Sequence, residues 1–225
     1  MRTRCGLAMV VVLLACWGGA AVAASGQPPA GTLTAAEYGS LGGMISSLSA
    51  AGRAKPTNWP AMQRVCMLGR TSTALLVSVR SACEADVRFL GSIGTFAAGI
   101  ARCGHAMPHK LVCEAELYNT LARDSSAAYA ADAAAHTAAT NRGFSGTCLA
   151  VIATTAAQLR LEKQLTGATK TLAADLSALA RVAEGHPMPG VTQTKVDSDA
   201  AAFERILQAL LASPSASNIR ACPHQ

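Results

Sequence analysis

The chain has 225 residues, of which 51% are hydrophobic, 14% are charged and 4% are aromatic. Its formal net charge is +6 at neutral pH, and its 19 basic residues are scattered along the chain. This composition lacks the basic patches and stacking aromatic side chains of nucleic-acid-binding proteins, so we expect no nucleic-acid partner.

Residues 1–23 have the pattern of a secretory signal peptide. Arg2 and Arg4 give a basic start, an apolar run extends from Leu7 to Cys16, and small residues then form an A-x-A cleavage site. The apolar run is about half as long as the roughly twenty residues that a membrane-spanning helix needs. We therefore expect an exported protein, either periplasmic or extracellular.

The same segment also resembles a lipoprotein signal. Leu13-Leu14-Ala15-Cys16 is similar to the lipobox of bacterial lipoproteins, in which the cysteine is acylated. Leu14 departs from the commoner residues at its position, and the A-x-A site lies just downstream. Soluble export and lipid anchoring through Cys16 both stay open, and membrane contact is expected only through such an anchor.

The rest of the chain predicts an all-α fold. Residues 24–33 are rich in proline and glycine and suggest a flexible linker, and residues 34–225 are expected to form a single helical-bundle domain. Thr32 and Thr34 are candidate caps for the first helix, and Asn58 for the second. Apolar residues at helical spacing predict four to five helices, at about 35–51, 58–102, 108–140, 147–184 and from 197 onward.

Six cysteines follow the leader, and an even number in an exported chain favours disulfides. If the second and third helices form a long antiparallel hairpin that turns near Met107 and Pro108, facing residues have numbers that sum to about 215. Applying this relation and pairing the two cysteines left over selects one of about fifteen connectivities. The predicted disulfides are Cys103–Cys113, Cys66–Cys148 and Cys83–Cys222.

The turn of this hairpin also contains potential metal ligands. Histidine and methionine suit copper, and histidine suits zinc. Against a metal site, a Cys103–Cys113 disulfide removes both thiolates, and Pro108 separates the two histidines of the turn, so that a solvent-exposed polar bend is the simpler interpretation. The candidate ligands are His105, Met107 and His109, with His186 and Met188 as further possibilities.

No catalytic motif is present in the sequence. Asp132 and His136 are four residues apart on a predicted helix, but no nucleophile accompanies them, and a surface ion pair explains them. Ser145 lacks the pattern of a nucleophile elbow and suggests a helix-capping loop. Glu114 and Glu116 are explained by the favourable position of negative charge near a helix N-terminus.

The sequence therefore predicts a non-enzymatic, exported helical protein that binds another protein, with no cofactor. Leucine stripes without a core partner are expected to anchor that partner. The alternative is a carrier of a small ligand or a metal, including copper or haem, in the cell envelope.

Overall fold

The computed structural model describes residues 28–53, 58–67, 73–213 and 218–225. The predicted signal peptide and the candidate lipidation residue Cys16 lie outside this range. The described residues are all-α, as predicted, with three disulfides and no β-strand. Their helices are α1 (Ala35–Arg53), α2 (Trp59–Cys66), α3 (Ala74–Ile100), α4 (His109–Asn141), α5 (Gly146–Ile152), α6 (Ala156–Ala183) and α7 (Gln193–Leu211), followed by a 3-10 turn at Ile219–Ala221.

None of these helices combines the length and the apolar character that crossing a membrane requires. The described chain has seven α-helices where four to five were predicted, because two predicted helices are each divided. The predicted helix at about 58–102 is α2 and α3, and α2 ends at Cys66 with Met67 as its C-cap. The helix predicted at about 147–184 is α5 and α6, which are separated by an extended Ala153.

The division between α5 and α6 has a local cause. Thr154 and Thr155 are β-branched and therefore fit poorly in a helix. The carbonyl oxygen of Thr154 is also bound by the His136 ring, with Nδ1 at 2.7 Å. A side chain of α4 thus binds a backbone group that would otherwise continue the helix.

Contacts divide the described chain into two compact units. Unit 1 contains the described residues up to Val87, Ala131–Ala156 and those from Ser213 onward, and unit 2 contains Arg88–Ala130 and Ala157–Ala212. Helices α3 and α4 therefore contribute residues to both units. The sequence, by comparison, predicts a single domain over residues 34–225.

The core of unit 1 contains the apolar stripe predicted for α1. Leu41, Met44 and Leu48 are buried, and α1 packs against α2. The first turns of α3 and the short helix α5 complete this core. Its other large buried side chains are Leu33, Tyr38, Met62, Leu75, Leu76, Val79, Val87, Phe144, Val151, Ile152 and Ile219.

The core of unit 2 consists of leucines and small residues. Along α6 the predicted leucine stripe is only partly buried, because Leu161 and Leu179 keep part of their surface exposed. In α7 only Val196 and Phe203 are fully buried. The larger buried side chains of this unit are Phe89, Leu111, Leu121, Leu165, Leu172, Leu176 and Phe203.

The hairpin of α3 and α4 has the predicted register. In unit 2, the rings of Phe96 and Tyr118 meet edge to face with centroids 4.6 Å apart. In unit 1, Thr73 directly before α3 and Arg142 directly after α4 bind the same carboxylate, that of Glu37. Both pairs have the residue-number sum that the hairpin predicts, one near its turn and one at its open end.

Glycine permits one close approach within this hairpin. Gly99 lies against Leu117, and a Cβ atom added to Gly99 would lie 2.7 Å from the leucine Cδ2. The sequence pattern predicts that the glycines of α3 are points of close helix approach or bending. At Gly99 close approach is confirmed, and α3 continues through Gly91 and Gly94 as well.

One of the three predicted disulfides is confirmed, namely Cys103–Cys113, which closes the turn of the hairpin with a Cα–Cα distance of 5.5 Å. The other two pairings are wrong. The predicted pairs Cys66–Cys148 and Cys83–Cys222 are replaced by Cys66–Cys83 and Cys148–Cys222.

The wrong pairings have one physical cause. The hairpin relation applies only where both arms are continuous helices, and α3 begins after Cys66 while α4 ends before Cys148. Cys66 is on α2, and its bond to Cys83 ties that short helix to α3. Cys148 is on α5, and its bond to Cys222 fastens the C-terminal segment.

Residues 28–33, which are the described part of the predicted flexible linker, are anchored to unit 1. The rest of that linker lies outside the described residues. Gly31 donates its backbone N–H to the Arg142 carbonyl oxygen at 2.7 Å. Leu33 is fully buried and forms an isolated parallel bridge with His224. This segment is anchored because both its leucine and its backbone polar groups find partners in unit 1.

Two glycines allow this anchoring. Gly31 and Gly143 have φ angles of +72° and +81°, which disfavour other residues. A Cβ atom on Gly31 would lie 2.9 Å from the Gly143 carbonyl oxygen, and one on Gly143 would lie 2.9 Å from the Ala30 Cβ. The contact between these two turns therefore requires glycine on both sides.

Candidate functional site

The turn that contains the candidate metal ligands is exposed. His105, Met107 and His109 all lie at the surface, and the Met107 side chain is 55% exposed. The neighbouring cysteines are joined to each other, so neither offers a thiolate. Within the described ranges, no three histidine, cysteine, aspartate or glutamate side chains are grouped as a metal site requires.

Asp132 is buried, so the predicted surface position of the Asp132–His136 pair is wrong at Asp132. His136 uses Nδ1 to bind the Thr154 carbonyl oxygen, which requires the proton on that nitrogen. Ser145 is the N-cap residue of α5, although its side chain makes no capping hydrogen bond.

Unit 1 contains a buried carboxylate that the sequence does not single out. Glu37, in the first turn of α1, is fully buried. Its backbone N–H donates to the Thr34 hydroxyl at 3.1 Å, and its Oε2 accepts the Thr34 backbone N–H at 3.0 Å. These reciprocal bonds are a capping box, so the predicted cap at Thr34 is confirmed.

The same carboxylate binds both ends of the open side of the hairpin. Arg142 donates Nη1 to Oε1 at 3.0 Å and Nη2 to Oε2 at 3.2 Å. The Thr73 hydroxyl donates to Oε1 at 2.8 Å. Arg142 Nη2 also reaches the Thr32 carbonyl oxygen. Glu37 therefore connects the start of α1, the start of α3 and the end of α4.

The electrostatic state of Glu37 follows from these contacts. Burial by itself would raise the pKa of Glu37, but hydrogen bonds from Arg142, the Thr34 backbone and Thr73, with the positive charge of Arg142, hold that pKa below its ordinary value of 4.5. Each carboxylate oxygen accepts two hydrogen bonds, which leaves no position for a substrate proton. The cluster is thus suited to structure rather than to acid–base chemistry.

The C-terminal segment is held against the same unit by a second set of contacts. Leu33 donates its N–H to the Pro223 carbonyl oxygen at 2.9 Å and accepts the Gln225 N–H at 3.1 Å. The Tyr38 and His224 rings stack with centroids 3.9 Å apart. Together with the disulfide of Cys222, these contacts fix the tail beside the beginning of α1.

An aromatic cluster links three helices of unit 2. Tyr118 on α4 contacts Phe96 on α3 and Phe203 on α7, with centroid distances of 4.6 and 5.6 Å. Burial, reinforced by the negative charges of Glu114 and Glu204, raises the pKa of Tyr118 to about 12. Tyr118 is therefore neutral at physiological pH and acts as a packing residue.

Unit 2 also has a groove, which we call the α4–α6 groove, with a volume of about 330 Å³. Residues of α4 form one side and residues of α6 and its end form the other. Two buried alanines form its floor, while most of the remaining lining is polar or charged and exposed. The lining residues are Val112, Ala115, Glu116, Asn119, Ser177, Ala180, Arg181 and Glu184.

The charged side chains of this groove are exposed to solvent, whereas the Glu37 carboxylate is buried with all its acceptor positions filled. Within the part of the chain that the structure describes, Glu116, Arg181 and Glu184 form no ion pair, whereas nearby Glu114 lies 3.7 Å from Lys110. The helix-dipole explanation of Glu116 from the sequence did not reveal that α6 brings Glu184 to the same groove. No local sequence signal could have shown this, because Glu116 lies on α4 and Glu184 directly follows α6.

No protein-family model, curated protein or solved structure matches this chain.

Proposed function

We propose that this protein is an exported, non-enzymatic module that binds another protein. The leader-like N-terminal sequence and three intramolecular disulfides support export, since disulfides persist in oxidising compartments. Anchoring through Cys16 is compatible with the same role, because a lipid would hold the module at a membrane surface.

The observation that carries the binding role is the contrast between interior and surface polar groups. The buried Glu37 carboxylate has all its acceptor positions filled by protein groups. The α4–α6 groove, by comparison, presents charged side chains that have no ion-pair partner among the described residues, beside an exposed valine, Val112. A small apolar floor bordered by a polar, solvent-accessible rim is the arrangement of a protein-binding surface.

Photo-crosslinking in an exporting host that contains the native partners tests this proposal. A photoreactive amino acid is placed at one exposed apolar position at a time, and adducts are resolved by mass. The positions are Met67, Val77, Met107, Val112 and Val182. We expect at least one position to give a discrete protein adduct.

If none of the five positions gives a protein adduct, the binding role is refuted. Native mass spectra of the purified, oxidised protein provide the second arm of the test. A stoichiometric adduct with copper or haem at micromolar concentration would favour the carrier function instead.

A further inference from the structure

We infer that the α4–α6 groove is the docking site, and that its occupant is a basic amphipathic helical segment of the partner protein. This inference rests on the proposed function and specifies the chemistry of the partner. All residues that line the groove belong to unit 2, so the site is complete within one compact unit.

The floor of the groove permits close approach by another chain. Ala115 and Ala180 are each 3% exposed, and their short side chains leave a depression between the two helices. Val112 at the margin is 40% exposed and offers an apolar contact. Small floor residues and a neighbouring branched apolar side chain suit the apolar face of an amphipathic helix.

The charges of the groove determine which helix fits. Glu116 on α4 and Glu184 after α6 contribute two carboxylates, against one guanidinium from Arg181. The groove is therefore locally acidic on a chain whose formal net charge is +6. Lysine or arginine side chains of a partner can pair with these carboxylates, and the local charge selects a basic segment despite the overall positive charge.

The size of the groove favours a segment of a protein over an enclosed small ligand. Its volume of about 330 Å³ is at the lower end for small-molecule pockets. Glu116, Asn119, Arg181 and Glu184 are exposed, so the site is an open depression. A few side chains of a docked helix would fill it, and the rest of that helix would lie along the surface.

The test uses the full oxidised chain with a photoreactive residue at Val112 and three synthetic helical peptides. The peptides share one apolar face and carry lysine, glutamine or glutamate at their polar positions. The matched control is the same photoreactive residue at Val77, which is also an exposed valine on a helix but belongs to unit 1. We expect the lysine peptide to label position 112 selectively.

Charge variants provide the second comparison. Because each exposed ion pair contributes modestly, we expect E116Q combined with E184Q to weaken binding of the lysine peptide by about tenfold. The control E204Q changes an exposed carboxylate on α7 outside the groove and should leave binding unchanged. Added salt should reduce the difference, because it screens exposed charges. Far-UV circular dichroism confirms that each variant is folded.

Several results would overturn the inference: no labelling by the lysine peptide, equal labelling at Val112 and Val77, equal binding of the three peptides, or full binding by the double variant. If native partners crosslink only from Met67 or Val77, protein binding is supported and the groove is excluded. If no exposed position crosslinks to a native partner, the proposed function itself fails.

Discussion

Replacing Glu37 by glutamine tests whether the buried cluster holds unit 1 together. E37Q keeps the size of the side chain but removes its charge and converts one acceptor oxygen into an amide donor. That amide then faces groups that themselves donate hydrogen bonds, namely Arg142 and either the Thr34 N–H or the Thr73 hydroxyl. The variant therefore leaves the Arg142 guanidinium without its anionic partner and places donor against donor.

The expected loss follows from how far each partner is buried. Removing one member of a buried ion pair costs about 3–5 kcal/mol in free energy of unfolding. The Arg142 side chain is 28% exposed, so water solvates part of it. We therefore expect the lower end of the range, about 3 kcal/mol, which for a chain of this length lowers Tm by about 6–12 °C.

Urea unfolding followed by far-UV circular dichroism, with the disulfides intact, measures this loss. Thr73→Val is the comparison variant: it removes one neutral donor to the same carboxylate and the hydroxyl that accepts the Leu76 N–H at the start of α3, and it should cost about 2 kcal/mol. A loss below about 1 kcal/mol for E37Q would show that the Glu37 carboxylate does not stabilise the fold.

The stability difference between wild type and E37Q should also depend on pH. The pKa of Glu37 in the folded chain lies below 4.5, so as the pH falls the unfolded chain takes up a proton first. The contribution of Glu37 is therefore complete above about pH 5 and is lost as the pH falls through the folded pKa. Repeating the urea titrations at acidic pH should show a smaller difference, and a constant difference would contradict the assignment.

Three further predictions concern single features of the fold. Gly143→Ala should destabilise more than Gly190→Ala, by about 1–3 kcal/mol in urea titrations, because both have φ +81° but only Gly143 has a close neighbour; equal losses would count against the clash. Replacing Cys148 and Cys222 by serine should cost about 4.5 kcal/mol by loop entropy, more than opening the ten-residue turn disulfide, and the reverse order would refute this. Ultraviolet pH-jump titration should show one tyrosine ionising near pH 12. Tyr118→Phe should remove that transition, and its persistence in the variant would contradict the assignment to Tyr118.

Local sequence signals predicted the helices and their caps well. Thr34 and Asn58 cap α1 and α2 as expected, because capping depends on residues three positions away. The Cys103–Cys113 bond was also predictable, since a short turn brings its cysteines together. The other two pairings depended on unbroken helices from Cys66 to the turn and onward to Cys148, but α3 begins only after Cys66 and α4 ends before Cys148.

The candidate sites were less predictable, because they depend on contacts between distant residues. Thr34 and Glu37 form a capping box that the sequence contains, but Arg142 lies 105 positions from Glu37. Likewise, Glu116 has an adequate local explanation as a helix N-terminal carboxylate. Only the packing of α6 beside α4 places Glu184 and Arg181 in the same groove.

Because unit 1 is assembled from distant parts of the chain, its disulfides can form only at different times during synthesis. Its residues come from the beginning, the middle and the end of the described chain, whereas unit 2 ends at Ala212. During synthesis from the N-terminus, Cys66 waits only 17 residues for Cys83, but Cys148 waits 74 residues for Cys222. Unit 2 can thus be complete while unit 1 still has an unpaired thiol. A disulfide isomerase would have most to correct at Cys148, the cysteine with the longest opportunity to react with a wrong partner.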